Sequence, residues 1–313
     1  MIWLLTTVQQ GLLFFATLFF VGCISWRVVV APGASARVVE VGAELRDVAS
    51  AVIRWARLAA LALVAAWVLR MVVQVAAFRD PFSPLWDDVS LLLFQTTWGT
   101  VWMAQGVVII GIALTLGLAV RSSPGREGTV AGLEVSAAWW ALTLLTFALV
   151  TTLAMSGHAM GVDSWRTAAV AADVLHTLAA GSWIGTLAVI LMGSSSAVGG
   201  EQSPATFGAQ IQRFSPLALV AGGTLVAMGA GLSWTHLTTV SDLWTTGYGR
   251  ILSGKIGVVL IILGLGFWNW RQGVPVSDRA EGVTLIRRRG AWEVGLAASV
   301  ILLTAILVHS TKP

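Results

Sequence analysis

Long apolar runs broken by short polar stretches make up most of this chain. A helix crossing the ~30 Å hydrocarbon core of a bilayer needs about 20 predominantly apolar residues. Eight runs meet that length, near residues 3–30, 58–78, 99–120, 135–157, 167–192, 214–236, 251–271 and 291–309. Turn-forming residues separate them: Pro32-Gly33, Arg79-Asp80-Pro81, Ser123-Pro124-Gly125, Gly199-Gly200 and Gly273-Val274-Pro275. The pattern predicts an all-α, polytopic transmembrane helical bundle of about eight spans. It is read as a single membrane domain over 1–313, with N-terminal spans to residue 134 and a second set over 135–313. Val89 to Phe94 predicts a short interfacial segment before the third span. The first run ends near Ala34-Ser35-Ala36, which has the form of a signal-peptidase site. No Lys or Arg precedes that run, and it is longer than a signal-peptide core, so it is read as a retained span.

Composition supports this. Of 313 residues 57% are hydrophobic and 11% charged, against about 25% charged in soluble domains. A mean hydropathy of +0.83 excludes a water-facing globule. The net charge of +4 and pI near 10.2 pose the question of an anionic partner. The distribution of basic residues answers it. Odd-numbered loops and their flanks carry thirteen: Arg27, Arg37, Arg46, Arg54, Arg57, Arg121, Arg126, Arg213, Arg271, Arg279, Arg287, Arg288 and Arg289. Even-numbered loops carry three, Arg79, Arg166 and Arg250. The positive-inside rule then places odd loops in the cytoplasm and both termini outside, in the periplasm. The basic residues are topology signals, and no nucleic-acid partner is expected. A lone cysteine, Cys23, excludes an internal disulfide and an all-cysteine metal cluster. Among the tryptophans, Trp165, Trp234, Trp244 and Trp292 fall near predicted membrane boundaries.

Within that topology all four histidines fall in the outer half. His158 lies just past the fourth span, and His236 and His309 end the sixth and eighth. His176 lies about 13 Å into the fifth span, near mid-membrane. Ionisable groups at that depth are rare and face a cavity or a partner. Asp173, three residues earlier, shares its helix face and could orient the imidazole, relay protons or form a structural pair. Trp183 follows on the same stripe. Methionines recur beside the histidines: Met155 and Met160 flank His158, and Met228 lies two turns below His236. Any one methionine is ordinary core filling. Thioether and imidazole together, however, suit Cu(I) in preference to Cu(II) or hard cations.

Other polar groups inside the spans are read as structural or gating. Arg70 and Gln74 share a face of the second span. Lys255 is read as close to the inner end of the seventh span, snorkelling or pairing with Glu293 at the inner start of the eighth. Glycines at 222, 223, 229, 231, 257, 264 and 266 predict close helix packing. The chain has no P-loop, dinucleotide fingerprint or phosphorylation run, and no Ser-His-Asp or two-metal carboxylate arrangement. ATP-driven pumping by this chain and an enzymatic role are therefore not expected.

The run Ser156-Gly157-His158-Ala159, then Asp173-Val174-Leu175-His176 and Trp183-Ile184-Gly185, resembles the bacterial copper-resistance D (CopD/PcoD) family. So do Arg213-Phe214-Ser215, Thr246-Gly247-Tyr248-Gly249-Arg250 with Lys255, and Asn269 with Arg271. The resemblance covers roughly residues 140–275, the first four spans matching in layout only. Thr186 stands where the family's Trp-x-Gly-Gly has its second glycine, and Trp270 separates an asparagine and arginine usually adjacent. The resemblance implies an inner-membrane protein of copper uptake or tolerance, often acting with a periplasmic copper-binding partner of the CopC type. It carries His158 and His176 as site residues, while His236 rests on topology.

The expected function is reception of copper at the outer face and its passage into or across the membrane. The expected metal set is His158, His176, His236, Met155, Met160 and Met228, with Asp173 and Trp183 behind it. Two alternatives stay open: a haem b-type redox protein with axial histidines, and a scaffold that hands copper on without transporting it.

Overall fold

The computed structural model describes residues 2–35, 39–121, 135–156, 165–195, 202–234 and 239–307, and every regular element among them is helical. Eight helical passes are long and apolar enough to cross a membrane. The first is α1 (Ile2–Ser25), a π-helical turn (Trp26–Val30) and α2 (Ala31–Ser35). The next three are α3 (Val39–Phe78), α5 (Thr97–Arg121) and α6 (Ala137–Met155), with α4 (Leu85–Phe94) lying before α5. The fifth joins α7 (Arg166–Ala180), a second π turn (Gly181–Gly185) and α8 (Thr186–Gly193). The sixth is α9 (Pro204–Trp234). The seventh runs through α11 (Gly247–Trp268) and a third π turn (Asn269–Gly273), after the short α10 (Asp242–Thr245). The eighth is α12 (Ala280–Leu307).

The spans agree with the hydropathy pattern, but three helices begin well before their apolar runs. The second starts by residue 39 and not 58, the sixth at 204 and not 214, the eighth at 280 and not 291. Hydropathy marks where a helix enters lipid, not where it begins. Residues 43–57 are strong helix formers with polar positions, so α3 continues to 40 residues. At 1.5 Å per residue that is about 60 Å, twice the hydrocarbon thickness. Arg46, Arg54, Arg57, Arg213 and Arg287 to Arg289, assigned above to loops and flanks, therefore sit on helices. They define an arginine-rich end of the bundle. Arg213 Nε donates to the Gly33 carbonyl (2.9 Å), tying the sixth pass to the first, and Arg287 Nε to Ser194 Oγ (3.1 Å), tying the eighth to the fifth. Trp26 Nε1 donates to Gln210 Oε1 (2.8 Å) at the same end.

The first pass forms the centre. Leu13, Phe20, Cys23 and Trp26 on it are fully buried, and it packs against α3, the second π turn, α8 and α12. Its closest approach is Gly22 over Gly185: a Cβ on Gly22 would lie 2.1 Å from the Gly185 carbonyl carbon, so only glycine permits the crossing. The expectation for the later glycines holds in part. Gly222, Gly229 and Gly266 face side chains on other helices, but Gly223, Gly231, Gly257 and Gly264 have open space. The reason is that α9 pairs with α7 and α11 with α12, while α9 and α11 hardly touch.

The connection between α3 and α5 carries the predicted interfacial segment as α4, with Phe82, Leu85, Trp86 and Phe94 exposed. Arg79 and Ser83 hold Asp88 at its first turn, Ser83 Oγ donating at 2.8 Å. These two partners keep the Asp88 carboxyl below the ordinary carboxylate range.

Candidate metal site

His176 lies ten residues into α7 from the end opposite the arginine-rich one, about 15 Å along the helix. It faces α9 across an interface opened by Gly229, where a Cβ would stand 3.3 Å from the ring carbon Cε1 and 3.5 Å from Nδ1. The ring hydrogen-bonds to the main chain of Leu225. Nδ1 is buried and has no partner among the described residues. A buried nitrogen left unpaired costs about 1–3 kcal/mol, so its persistence points to a ligand.

Asp173 is half-buried one turn before His176 and makes no hydrogen bond to Nδ1. Its electrostatic partner is Lys255 on α11, which acts on His176 as well. The expectation for Lys255 is corrected here. The seventh pass starts at Gly247 at the histidine end, so Lys255 is eight residues, about 12 Å, from that end and far from the arginine-rich one. It does not pair with Glu293. The Glu293 carboxylate accepts instead from Asn269 Nδ2. Counting the seventh span from its correct end would have placed Lys255 beside Asp173 from sequence alone.

Trp183 is buried on the second π turn, two turns further into the bundle than His176, against Gly222 of α9 and Gly266 of α11. Met228 is half-buried on α9 and precedes Gly229, so it points about 100° round the helix from the face that meets His176. Met155 sits in the last turn of α6 and is 41% exposed, at the rim and not at His176. His158, Met160, His236 and His309 lie outside the described residues. Among the described residues no three His, Cys, Asp or Glu side chains gather as a metal-binding cluster.

The segment that leads to His158 is anchored by a residue expected only to be structural or gating. Arg70 of α3 donates from Nη1 to Ser156 Oγ (3.0 Å) and to Gln105 Oε1 (3.3 Å), and from Nη2 to the Ser156 carbonyl (3.4 Å). Its guanidinium lies over Trp98, 5.7 Å from the ring centre. Trp67 and Trp102 stack beside it at 4.1 Å, each donating its indole N–H to the other's carbonyl. Gln74, predicted on the same face, has no part in this cluster. Gln105, fully buried on α5, had no sequence signal beyond being polar within an apolar run.

This arrangement offers one imidazole nitrogen without a partner among the described residues inside a membrane-type bundle, a donor that suits transition-metal ions. Residues 1–168 match the family model described as copper resistance protein D-like, N-terminal domain, and residues 208–307 match that described as copper resistance protein D. The chain belongs to the copper resistance protein D family. The match extends the resemblance over the first four spans, which share only their layout when read from motifs. A copper transport protein, CutJ, of Bacillus subtilis is 26% identical over 226 residues, 70% of this chain and 37% of that protein. A copper resistance protein D of Pseudomonas syringae pv. tomato is 27% identical over 228 residues, 69% of each. This chain thus spans little more than a third of the length of its Bacillus relative. No solved structure matches it.

Proposed function

We propose that this chain takes up copper ions at the histidine end of the bundle and passes them into or across the bacterial inner membrane. The observation that carries the reading is the buried Nδ1 of His176, without a partner among the described residues and held at membrane depth. The family, and the names of the two relatives as copper transport and copper resistance proteins, support copper as the cargo. His158, Met155 and Met160 serve as the mouth, His176 as the deeper station, and Met228 and His236 as donors from the sixth span. Imidazole and thioether favour Cu(I), in a two- or three-coordinate site that can exchange ligands. The arginine-rich end faces the cytoplasm, which puts the mouth in the periplasm, within reach of a CopC-type copper-binding partner. The chain is a carrier and catalyses no reaction.

Copper accumulation in cells expressing His176→Ala tests the assignment. It should fall toward that of cells lacking the protein, and unchanged accumulation at equal membrane levels would sink the assignment. Purified protein in vesicles separates transport from delivery, since copper binding without flux is the behaviour of a scaffold.

A further inference from the structure

A cavity of about 410 Å³ lies toward the arginine-rich end, enclosed by the second π turn, α9, α11 with its π turn, and α12. Its walls are apolar, from Trp183, Phe214, Leu219, Leu263, Phe267 and Ile286. Leu219 and Phe267 are also more than 60% exposed on the outside of the bundle, where α9 and α11 part, so the cavity opens laterally toward lipid. Apart from the Ser215 hydroxyl, its polar chemistry is one corner made by Glu293 and Asn269. Glu293 is 2% exposed. Asn269 Nδ2 donates to Glu293 Oε1, and Asn269 Oδ1 is buried without a partner among the described residues. Glu293 Oε2 stands by Gly266, 3.6 Å from where a Cβ would be, with the Trp183 ring nearer still to that point, at 3.0 Å.

The charged and titratable groups on the elements packed around Glu293 are accounted for elsewhere. Arg213 of α9 is tied to Gly33. On the seventh pass Tyr248, Arg250 and Lys255 lie in the histidine-end half, Lys255 about 21 Å of helix from Asn269, and Arg271 is exposed. The first pass offers Cys23 and Arg27, whose guanidinium lies over Trp139. On α12 itself Glu281 and Arg288 lie toward the arginine-rich end, Arg287 bonds Ser194, and Arg289 bonds Gln272 and covers Trp268. None of these described groups is within ion-pair distance of Glu293.

A carboxylate enclosed by apolar walls without a protein counter-charge needs a cation from outside. The corner presents too few oxygens for the six or more that hard metal cations require, and these oxygens are the wrong donors for Cu(I). A proton fits.

We propose that Glu293 is an exchangeable proton-binding site at the arginine-rich side of Trp183, opposite the His176 metal station, and that its proton is the coupling ion for copper movement. The coupling rests on the transport reading above; the proton site does not. The proton adds at Oε2 while Oε1 keeps the bond from Asn269, and it leaves again to water at the arginine-rich end. Trp183 lies between the two stations: it stands against Gly222, one face-repeat from Gly229 at His176, and against Gly266, which faces Oε2.

Two experiments on the full chain test this. In lipid nanodiscs, a hydrophobic carbodiimide, which attacks protonated membrane carboxyls, should label Glu293, as mapped by mass spectrometry. Labelling should decline about tenfold per pH unit above its midpoint, as for a single ionising acid, persist in Glu293→Asp and vanish in Glu293→Gln. Absence of label, or label independent of pH, in protein of native helicity overturns the proton site. In vesicles loaded against Cu(I), an imposed pH gradient should change wild-type copper flux, and Glu293→Gln should bind copper normally but lose that response. A pH-sensitive flux unchanged in Glu293→Gln overturns the coupling. Wild-type binding without flux overturns the transport reading and the coupling with it, while pH-dependent labelling still upholds the proton site.

Discussion

Arg70 on α3 and Ser156 at the end of α6 are joined twice, through the serine hydroxyl at 3.0 Å and its carbonyl at 3.4 Å, although 86 residues separate them. The guanidinium thereby fixes the point from which the His158 segment departs. Arg70→Met keeps much of the volume and removes three hydrogen bonds, leaving Gln105 buried. It should lower stability by about 2 kcal/mol, the range for a bond to a charged group, visible as a lower melting temperature in detergent. Arg70→Lys should restore less than half of this, because an ammonium cannot reproduce the fork. Copper affinity should fall in both variants, in the same order.

Gly229 provides the room in which the His176 ring stands. Gly229→Ala puts a methyl group 3.3 Å from Cε1 and calls for a shift of a few tenths of an ångström. Gly229→Val cannot be accommodated without turning the imidazole away from Leu225. Competition titration against a Cu(I) chelator should show a small loss for the alanine variant. The valine variant should lose at least about tenfold, roughly 1.4 kcal/mol, with helical circular dichroism unchanged. Equal affinities for all three proteins would separate His176 from copper binding.

The crossing of the first and fifth passes should be the least tolerant place in the bundle. Gly22→Ala and Gly185→Ala force a Cβ to within 2.1–2.2 Å of facing backbone, and neither backbone has a side chain to move aside. A loss of at least about 3 kcal/mol is expected, seen as poor folded yield. Gly257→Ala and Gly264→Ala, where nothing lies within 4 Å, should melt like wild type or slightly higher.

Asp88 gives the α3–α5 connection an acid limit. Its folded carboxyl is held below the ordinary value, first by the Ser83 hydroxyl and then by Arg79. A depressed folded value means the anchorage is complete above the ordinary carboxylate value and is lost as pH falls through the lowered one. Protection from hydrogen exchange over residues 79–88, relative to the intrinsic rate at each pH, should therefore stay constant from neutral pH down to about pH 4 and fall below it. Asp88→Asn should raise exchange at every pH and flatten the profile.

What the sequence made legible follows from which physics is local. Eight passes and a short segment over 89–94, which the structure extends to 85–94, were readable because lipid demands a run of apolar residues whatever they touch. The 39–57 extension of α3 was not, since hydropathy reports the solvent around a helix and not its continuation. The depth of His176 could be counted; its bond to Leu225 and the room left by Gly229 depend on how two helices separated by fifty residues cross. Asp173 drew attention as a neighbour of His176 in sequence, yet its partner Lys255 comes from another helix. Gly22 and Gly185 gave no sign of their pairing, while seven later glycines looked better placed for close packing and four of them face open space.

The Gly22–Gly185 crossing has a mechanical consequence. Helices that meet through side chains can slide by exchanging rotamers or ratcheting one turn, but two bare backbones in contact have no teeth to disengage. The crossing therefore works as an axle. Any displacement between the two membrane faces is then expected to fall to α9 and α11, which hardly touch each other.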